Sequence, residues 1–325
     1  MEVRLSLQAS LVLLLLLFAG AYAVGTPAVS VPAETESEHR LDEERLLRVL
    51  LGDTVQELPM DEYLTGVLRA EMPASFEMEA LKAQAVAARS YTLYKMKQGA
   101  IARHPQADTC DDISCCKAYC TAEAAAEQWG SQAEDYERKL REAVAQTDGL
   151  VASYGGEPIL AVFHSSAAGQ TQNAEEVWQN PVPYLKSVQS PEGAEDVPNY
   201  YSTAVFTAQE ARERLQAARP ALELSASPQE WLGAVSVNAQ GLVTDVELGG
   251  EHFTGGELRS VFDLRSACFT VRAEEDTLHF SVTAYGHGVG MSQYGANALA
   301  RQGLSFEEIL AWYYTGITVE PYAGE

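Results

Sequence analysis

Basic residues are scarce in this sequence. Its 325 residues include 22 Lys and Arg against 46 Asp and Glu, which gives a formal net charge of −24. Long-range electrostatics of this sign repel nucleic acid and anionic membrane surfaces. We therefore expect no nucleic-acid partner, and an anionic substrate would need a local basic cleft.

Several familiar signatures are also absent. The sequence contains no Gly-x-Ser-x-Gly nucleophile elbow and no internal repeat, and its glycine-rich segment 286–295 has neither a P-loop ending nor a βαβ context. Predicted helices and strands segregate along the chain rather than alternate. This pattern predicts an α+β fold in which a helical lobe packs with a C-terminal β-rich lobe.

Long apolar runs are missing except at the N-terminus, where residues 5–24 carry no charge. This segment is long enough to span a bilayer, and Ala21-Tyr-Ala23 resembles a signal cleavage site. Arg4 precedes the segment and acidic residues follow it, which predicts a cytoplasmic N-terminus and an exported body. The chain is thus predicted to be held in the cell membrane by a single N-terminal span, or secreted after cleavage.

The predicted organisation has three parts. Residues 1–24 form the anchor or signal, and residues 25–44, rich in Pro, Thr, Ser and Glu, form a flexible tether. Residues 45–325 form one functional domain of two lobes, which we expect to flank a substrate cleft.

Glu71 is placed by the sequence at the junction of two helices. Asp61 can cap the first helix, which must end near Ala70 because Pro73 disfavours helical geometry in the residue before it. An alanine-rich helix then runs from near Ser75 toward Gly99. A carboxylate held between rigid elements can face a cleft and act as a general acid. The alternative is an ordinary solvated glutamate at a helix end.

Two polar clusters follow predicted strands. The first is His164-Ser165-Ser166, and the second is a glycine-rich loop that includes His287, Ser292 and Gln293. Glycines let a backbone approach a ligand closely, and the helix that follows offers free N–H groups. The alternative for the loop is a tight strand-to-helix turn with incidental polar residues. A serine hydrolase is weakly supported, since neighbouring strand side chains point to opposite faces.

Four of the five cysteines lie in one short loop that also holds a histidine. Thiolate and imidazole ligands at such spacings suit tetrahedral Zn²⁺, and four protein ligands would make the site structural. In an exported protein a disulfide within this loop is the alternative. The loop residues are His104, Cys110, Cys115, Cys116 and Cys120.

Four segments together resemble the stage II sporulation protein D family of lytic transglycosylases, which cleave the glycan strands of bacterial peptidoglycan. The segments are Glu71-Met-Pro-Ala-Ser-Phe76, Ala80-Leu-Lys-Ala-Gln-Ala-Val-Ala-Ala-Arg89, Phe163-His-Ser-Ser166 and Gly286-His-Gly-Val-Gly-Met-Ser-Gln-Tyr-Gly-Ala296. They occur in the same order as in the family, and the resemblance extends over most of the chain, from about Leu46 to Pro321. An N-terminal membrane segment is also common in the family.

The resemblance implies roles for these residues. It makes Glu71 the catalytic acid and puts zinc on His104, Cys110, Cys115 and Cys116, although Cys115 stands where the family has a histidine. The polar motifs would line the glycan cleft, and an amidase that removes stem peptides is the implied partner. The implied substrate ligands are Lys82, His164, Ser165, Ser166, His287, Gly288, Gly290, Ser292 and Gln293.

A single glutamate suits this chemistry. Ordinary glycosidases need two carboxylates, whereas a lytic transglycosylase uses the C6 hydroxyl of N-acetylmuramic acid as its nucleophile and forms a 1,6-anhydro end. Lys82, Arg69 or Arg89 could supply positive charge for the lactyl carboxylates of peptide-free strands. Two other functions stay open: a non-catalytic glycan-binding or scaffold protein, and a zinc amidase or peptidase centred on the Cys/His loop.

Overall fold

The computed structural model describes residues 41–99 and 103–322. The predicted membrane segment and residues 25–40 of the predicted tether lie outside the described residues. Within the described ranges, no helix combines the length and apolar character needed to cross a bilayer. Residues 41–44, which we assigned to the tether, form a short helix (α1, Leu41–Glu44) whose Asp42 is buried.

The N-terminal part of the described fold is mainly helical. Two long helices, α2 (Met60–Glu71) and α3 (Met78–Lys97), follow an antiparallel hairpin of β1 (Leu46–Leu51) and β2 (Thr54–Pro59). The short strand β3 (Thr109–Cys110) pairs in parallel with β1. Helices α4 (Ala122–Trp129) and α5 (Ala133–Ala145) then pack on α2 and α3.

The next segments bring distant parts of the chain together. Strand β4 (Leu150–Tyr154) pairs with β5 (Glu157–Pro158) and with the last strand, and β6 (Phe163–His164) and helix α6 (Ala174–Trp178) follow. Near the C-terminus, β13 (Met291–Ser292) pairs in parallel with β6. The chain ends with α9 (Gln293–Arg301), α10 (Phe306–Tyr313) and β14 (Thr318–Pro321).

Between these segments the chain builds a β-rich unit. Its elements are β7 (Tyr201–Thr207), α7 (Ala208–Ala218), β8 (Leu232–Val237), β9 (Val243–Leu248), β10 (Glu251–Phe253), α8 (Gly255–Phe262), β11 (Phe269–Glu274) and β12 (Thr277–Thr283). The strands form two antiparallel sheets, one with the order β11-β12-β7 and the other with the order β10-β9-β8.

Two separate hydrophobic cores match these two parts. The first is organised around α3, and neighbouring elements approach this helix closely from several sides. Its fully buried alanines are Ala80, Ala83, Ala85, Ala87 and Ala88. The second core contains Trp231, Phe253, Phe262 and Phe280 and belongs to the β-rich unit. The α+β prediction is confirmed, whereas the glycan cleft between the lobes stays a prediction.

Local signals in the sequence were only partly reliable: helix α2 begins at Met60 with Pro59 as its N-cap, so the predicted cap at Asp61 is wrong. The capping box at Ser305 and Glu308 is present, and Gly99 follows α3 at a φ of 90°. The hairpin partner of β4 is Glu157–Pro158. Helices α4 and α5 are separated by a 3-10 turn that begins at Gly130, whose φ is 55°.

Arg89 and Asp42 form a buried ion pair that joins α3 to α1. The Arg89 Nη2 to Asp42 Oδ2 distance is 2.5 Å, the side chains are 1% and 4% exposed, and Arg89 also donates to the carbonyl of Leu150. Removing one member of a buried pair leaves an uncompensated charge. We predict that Asp42→Ala lowers the free energy of unfolding by about 3 kcal/mol in chemical denaturation.

The matched control for this prediction is Asp135→Ala. It breaks the Asp135–Arg138 pair, whose side chains are 77% and 67% exposed. We expect a change of less than about 1 kcal/mol for this exposed pair. Equal effects of the two substitutions would contradict the importance of the buried pair.

Candidate functional site

Glu71 is the last residue of α2. The apolar stripe of that helix, Tyr63, Leu64, Val67 and Leu68, is fully buried and fixes the helix in the first core. Met72 is extended, with φ of −124° and ψ of 141°, as expected for the residue before Pro73. The glutamate side chain therefore leaves the core at the point where the chain stops being helical.

The environment of Glu71 favours its protonated form overall. Burial raises the pKa of Glu71 above the ordinary value of 4.5. The positive charge of Lys117, the backbone N–H of Ala118 and the amide of Gln293 act in the opposite direction. A raised pKa together with three groups that favour the carboxylate is the combination required of an acid that must also serve as a base.

Lys117 is a site residue that we did not predict. It is buried, its Nζ lies 3.7 Å from the ring centroid of Phe163 and 4.1 Å from that of Tyr91, and it forms no ion pair within the described ranges. Burial lowers the pKa of Lys117 to about 8, and the charge of Glu71 partly opposes this effect. The sequence signal for it was limited to a basic residue next to Cys116.

The loop that carries Lys117 packs directly on the helix that carries Glu71. Gly66 makes this possible, since a Cβ there would lie 2.1 Å from the ring of Tyr119. The N–H of Cys120 donates to the Gly66 carbonyl at 3.0 Å, and the hydroxyls of Tyr63 and Thr109 lie 2.9 Å apart. Docking of the loop therefore places Lys117 beside Glu71.

The Cys/His loop gathers the four predicted metal ligands. One donor atom from each lies within 4.8 Å of the others. The His104 Nδ1 donates to the Ala107 carbonyl at 3.1 Å, which leaves Nε2 free to bind a metal, and Nε2 lies 3.3 Å from the Cys116 Sγ. The cluster consists of His104, Cys110, Cys115 and Cys116.

This donor set fits a structural zinc ion, with three thiols and one imidazole and no place for a catalytic water. All five cysteines are free thiols, so the loop forms no disulfide. Cys120, the fifth residue of the predicted Cys/His loop, directs its Sγ to the Thr121 carbonyl at 3.5 Å and lies outside the cluster. The loop can thus hold a metal with the predicted ligands.

The glycine-rich loop lies against β6. Gly286 and Gly290 have φ of 122° and 73°, and a Cβ at Gly290 would lie 2.2 Å from the Val162 carbonyl oxygen. Any larger residue would push the two segments apart. Gly288 also has a positive φ, and its carbonyl accepts a hydrogen bond from Gln172 at 2.7 Å.

Both predicted histidines lie in this contact, His164 buried and His287 half-buried. The His287 Nε2 donates to the Phe163 carbonyl and its Nδ1 accepts from the Val289 N–H, each at 3.1 Å. The His164 Nδ1 donates to the Val289 carbonyl at 3.2 Å. Burial lowers the pKa of His164 to about 4 and that of His287 well below its ordinary value, so both rings are neutral at pH 7. They hold the loop in place.

The predicted serines mostly bind the backbone. The Ser166 Oγ accepts from the N–H of Tyr285 at 3.0 Å, and the Ser292 Oγ caps helix α9 by accepting from the Gly295 N–H at 3.2 Å. The carbonyl of Ser165 accepts from the Tyr294 N–H at 3.0 Å. Ser292 also donates to the buried carboxylate of Glu192, which we did not predict.

Gln293 and Lys82 have different surroundings. The Gln293 amide faces Glu71, and its buried Nε2 has no hydrogen-bond partner among the described residues, so it is available to a ligand. Lys82 pairs with Glu79 at 2.7 Å. Arg69 is likewise paired, with Glu137 and Glu62. The structure thus brings Gln293 to Glu71, and Lys82 as a substrate ligand stays a prediction.

Comparison with known proteins gives consistent matches. A family model described as "Stage II sporulation protein" matches residues 52–154. Stage II sporulation protein D of Bacillus subtilis (strain 168) is 36% identical over 269 residues, or 82% of this chain and 76% of that protein. The protein of the same name from Bacillus amyloliquefaciens is 34% identical over 292 residues, covering 90% and 78%.

A further relative is an amidase enhancer of Bacillus subtilis (strain 168). It is 29% identical over 316 residues, which cover 80% of this chain and 40% of that protein.

The ligand geometry predicts the metal content. Protein purified without chelator is expected to contain about one zinc ion per chain, measured by elemental mass spectrometry, and Cys116→Ser is expected to lose most of it. Cys120→Ser is the matched control and should keep its zinc, because Cys120 lies outside the cluster. A zinc-free unmutated protein, or equal zinc loss in both variants, would contradict the assignment.

Proposed function

Since the chain belongs to the stage II sporulation protein D family, we propose that it remodels the bacterial cell wall during sporulation, as a lytic transglycosylase acting on peptidoglycan glycan strands. The observation that carries this proposal is the environment of Glu71. Its carboxyl has a raised pKa, and it faces a buried lysine and an unpaired amide donor. No second carboxylate is required when the substrate supplies its own nucleophile.

In the proposed reaction Glu71 acts twice. The protonated carboxyl donates its proton to the glycosidic oxygen between N-acetylmuramic acid and N-acetylglucosamine, and the C1–O bond breaks through an oxocarbenium-like state. The resulting carboxylate removes the proton from the C6 hydroxyl, whose oxygen bonds to C1 and closes the 1,6-anhydro ring. Glu71 is then protonated again, and no water is consumed.

Lys117 and Gln293 support this cycle in different ways. The positive charge of Lys117 stabilises the carboxylate that forms after proton donation, which limits how far burial can raise the pKa of Glu71. The Gln293 amide can donate to Glu71 or to a sugar oxygen beside it. Both groups are held rigidly, one by the docked loop and the other by the N-terminus of α9.

A zinc ion on the Cys/His cluster would have a structural role in this proposal. When bound, it would fasten the loop that carries Lys117. With four protein ligands the cluster offers no open position for the water of a zinc amidase, which favours Glu71 as the reactive group.

Location and partner are part of the same proposal. Peptidoglycan lies outside the cytoplasmic membrane, so the N-terminal apolar segment would export the chain and hold it there as a single span, or be cleaved. The similarity to an amidase enhancer supports an amidase that strips stem peptides as the partner.

Digestion of purified glycan tests the reaction. We predict that the protein releases fragments with 1,6-anhydro-N-acetylmuramic acid ends from peptide-free strands, detected by mass spectrometry. Glu71→Gln should lower the rate by at least about a hundredfold, because the amide cannot donate the proton. Glu77→Gln, at an exposed position of the same segment, is the matched control and should stay active.

Intact glycan after incubation with the unmutated protein would favour the non-catalytic binding function. Release of stem peptides from whole peptidoglycan, lost in Cys110→Ser but kept in Glu71→Gln, would instead identify a zinc amidase.

The pH profile tests the role of Lys117. The reactive form of Glu71 is protonated, so kcat/KM should fall as pH rises through its pKa, which burial places above 4.5. Lys117→Met removes a charge that lowers this pKa. We therefore predict that the alkaline limb of the profile moves to higher pH, whereas Lys186→Met, which removes an exposed lysine paired with Glu175, leaves it in place. A shift to lower pH would contradict the assignment.

A further inference from the structure

A cavity of about 230 Å³ lies between helix α6 and the β-rich unit. At about 30 Å³ per water molecule, this is the volume of about eight waters, which suits one pyranose ring with its substituents. Its lining combines hydroxyl groups, an amide and apolar side chains with one cation and one carboxylate. The polar members are Glu176, Gln179, Thr244, Thr254, Arg259 and Ser260.

Arg259 is the cation in this lining. Its side chain is half-buried, its Nε donates to the Leu264 carbonyl at 3.3 Å, and it makes no ion pair within residues 41–99 and 103–322. Arg212 and Arg265 are also half-buried without an ion pair in the described chain, but Arg259 is the one that lines this cavity. Its planar guanidinium can bind a carboxylate through two parallel hydrogen bonds.

The described ionisable groups around Arg259 form no ion pair with it, so its guanidinium is available to a ligand. Asp263 lies near enough to interact with it electrostatically but is exposed, and it forms no ion pair with Arg259. Glu176 also lines the cavity, and its Oε2 accepts a hydrogen bond from the Asn238 amide at 3.3 Å. His287, on the cavity wall, is neutral. Arg259 is therefore the one positively charged group among the described residues of the lining, and neither Glu176 nor Asp263 forms an ion pair with it.

His287 connects this cavity to the Glu71 site. It lines the cavity and also lies within electrostatic range of Lys117, which faces Glu71. The ring of Trp178, 38% exposed, lies 5.2 Å from the ring of His287 and offers an apolar surface beside the cavity. The cavity and the Glu71 site therefore share His287 as a neighbour.

We propose that this cavity is a subsite for a carboxylate-bearing sugar of the glycan, with Arg259 binding the carboxylate. The proposal rests on the proposed function, because the muramic acid of peptidoglycan carries a lactyl carboxylate. This carboxylate is free when the stem peptide has been removed and is an amide when the peptide is attached. Arg259 would therefore make the subsite selective for sugars with the free acid.

Binding measurements can test the subsite separately from catalysis. In the Glu71→Gln background, titration calorimetry compares an oligosaccharide containing N-acetylmuramic acid with a chitin oligosaccharide of equal length, which has no carboxylate. Arg259→Gln is expected to weaken binding of the first by about tenfold or more and to leave the second unchanged. Arg272→Gln removes an exposed arginine of the same unit and is the matched control.

A second variant covers the case in which Arg259→Gln does not fold. Gly256 lines the cavity, and a Cβ there would meet only the Thr254 Oγ1, at 3.9 Å. Gly256→Glu therefore adds a negative charge without crowding the fold and should weaken binding of the carboxylate-bearing oligosaccharide selectively. Thermal unfolding confirms that each variant is folded.

The outcomes separate the two proposals. The variant to judge by is Arg259→Gln if it folds, and Gly256→Glu if Arg259→Gln does not fold. The subsite proposal is wrong if this variant binds both oligosaccharides as the parent does, or if its binding of both is weakened equally. Failure of the parent to prefer the carboxylate-bearing oligosaccharide also overturns it. Glycan cleavage by the chain with Glu71 intact is the separate measure of the proposed function, so either proposal can fail while the other stands.

Discussion

The site depends on the docking of the Cys/His loop onto helix α2. This contact buries Lys117 against the rings of Phe163 and Tyr91 and turns it toward Glu71. The absence of a side chain at Gly66 admits the ring of Tyr119 and so permits the approach. Because the four clustered donors lie in the same loop, a metal bound there would stabilise the geometry at Glu71 from outside the reacting centre.

The pKa of Glu71 is set by two opposed effects, its own burial and the charge of the buried Lys117. Burial disfavours its charge, and α2 ends at this residue, so the negative end of the helix dipole adds to the same preference. Lys117 is itself buried and favours the carboxylate. An acid subject to burial alone would hold its proton too firmly to act as a base, and one paired with an exposed lysine would lose it at low pH. The observed arrangement lies between these limits.

Sequence reasoning succeeded where short-range rules operate. Pro73 predicted the end of the Glu71 helix to within one residue. The density of Cys and His in one loop indicated a metal site, and the family resemblance supplied its four ligands, His104, Cys110, Cys115 and Cys116. Sequence reasoning missed what depends on contacts distant in sequence. Lys117 and Arg259 lie in no recognisable sequence motif. Each is distinguished by its surroundings in the folded chain, where it is buried or half-buried and forms no ion pair with the described residues. Likewise, the motif residues His164 and His287 prove to fasten two segments together, which spacing alone could not distinguish from ligand binding.

The distribution of unpaired cations connects the fold to the substrate. Most described lysines and arginines of this acidic chain are paired with carboxylates, including Arg69, Lys82 and Arg89. Lys117 and Arg259 are among the described cations that form no ion pair, and both lie within electrostatic range of His287. Long-range repulsion by the net charge of −24 would keep weakly matched anions away. An anionic polymer would gain affinity where its carboxylates reach Lys117 and Arg259. The acidic surface and these local cations together would favour selectivity over tight binding.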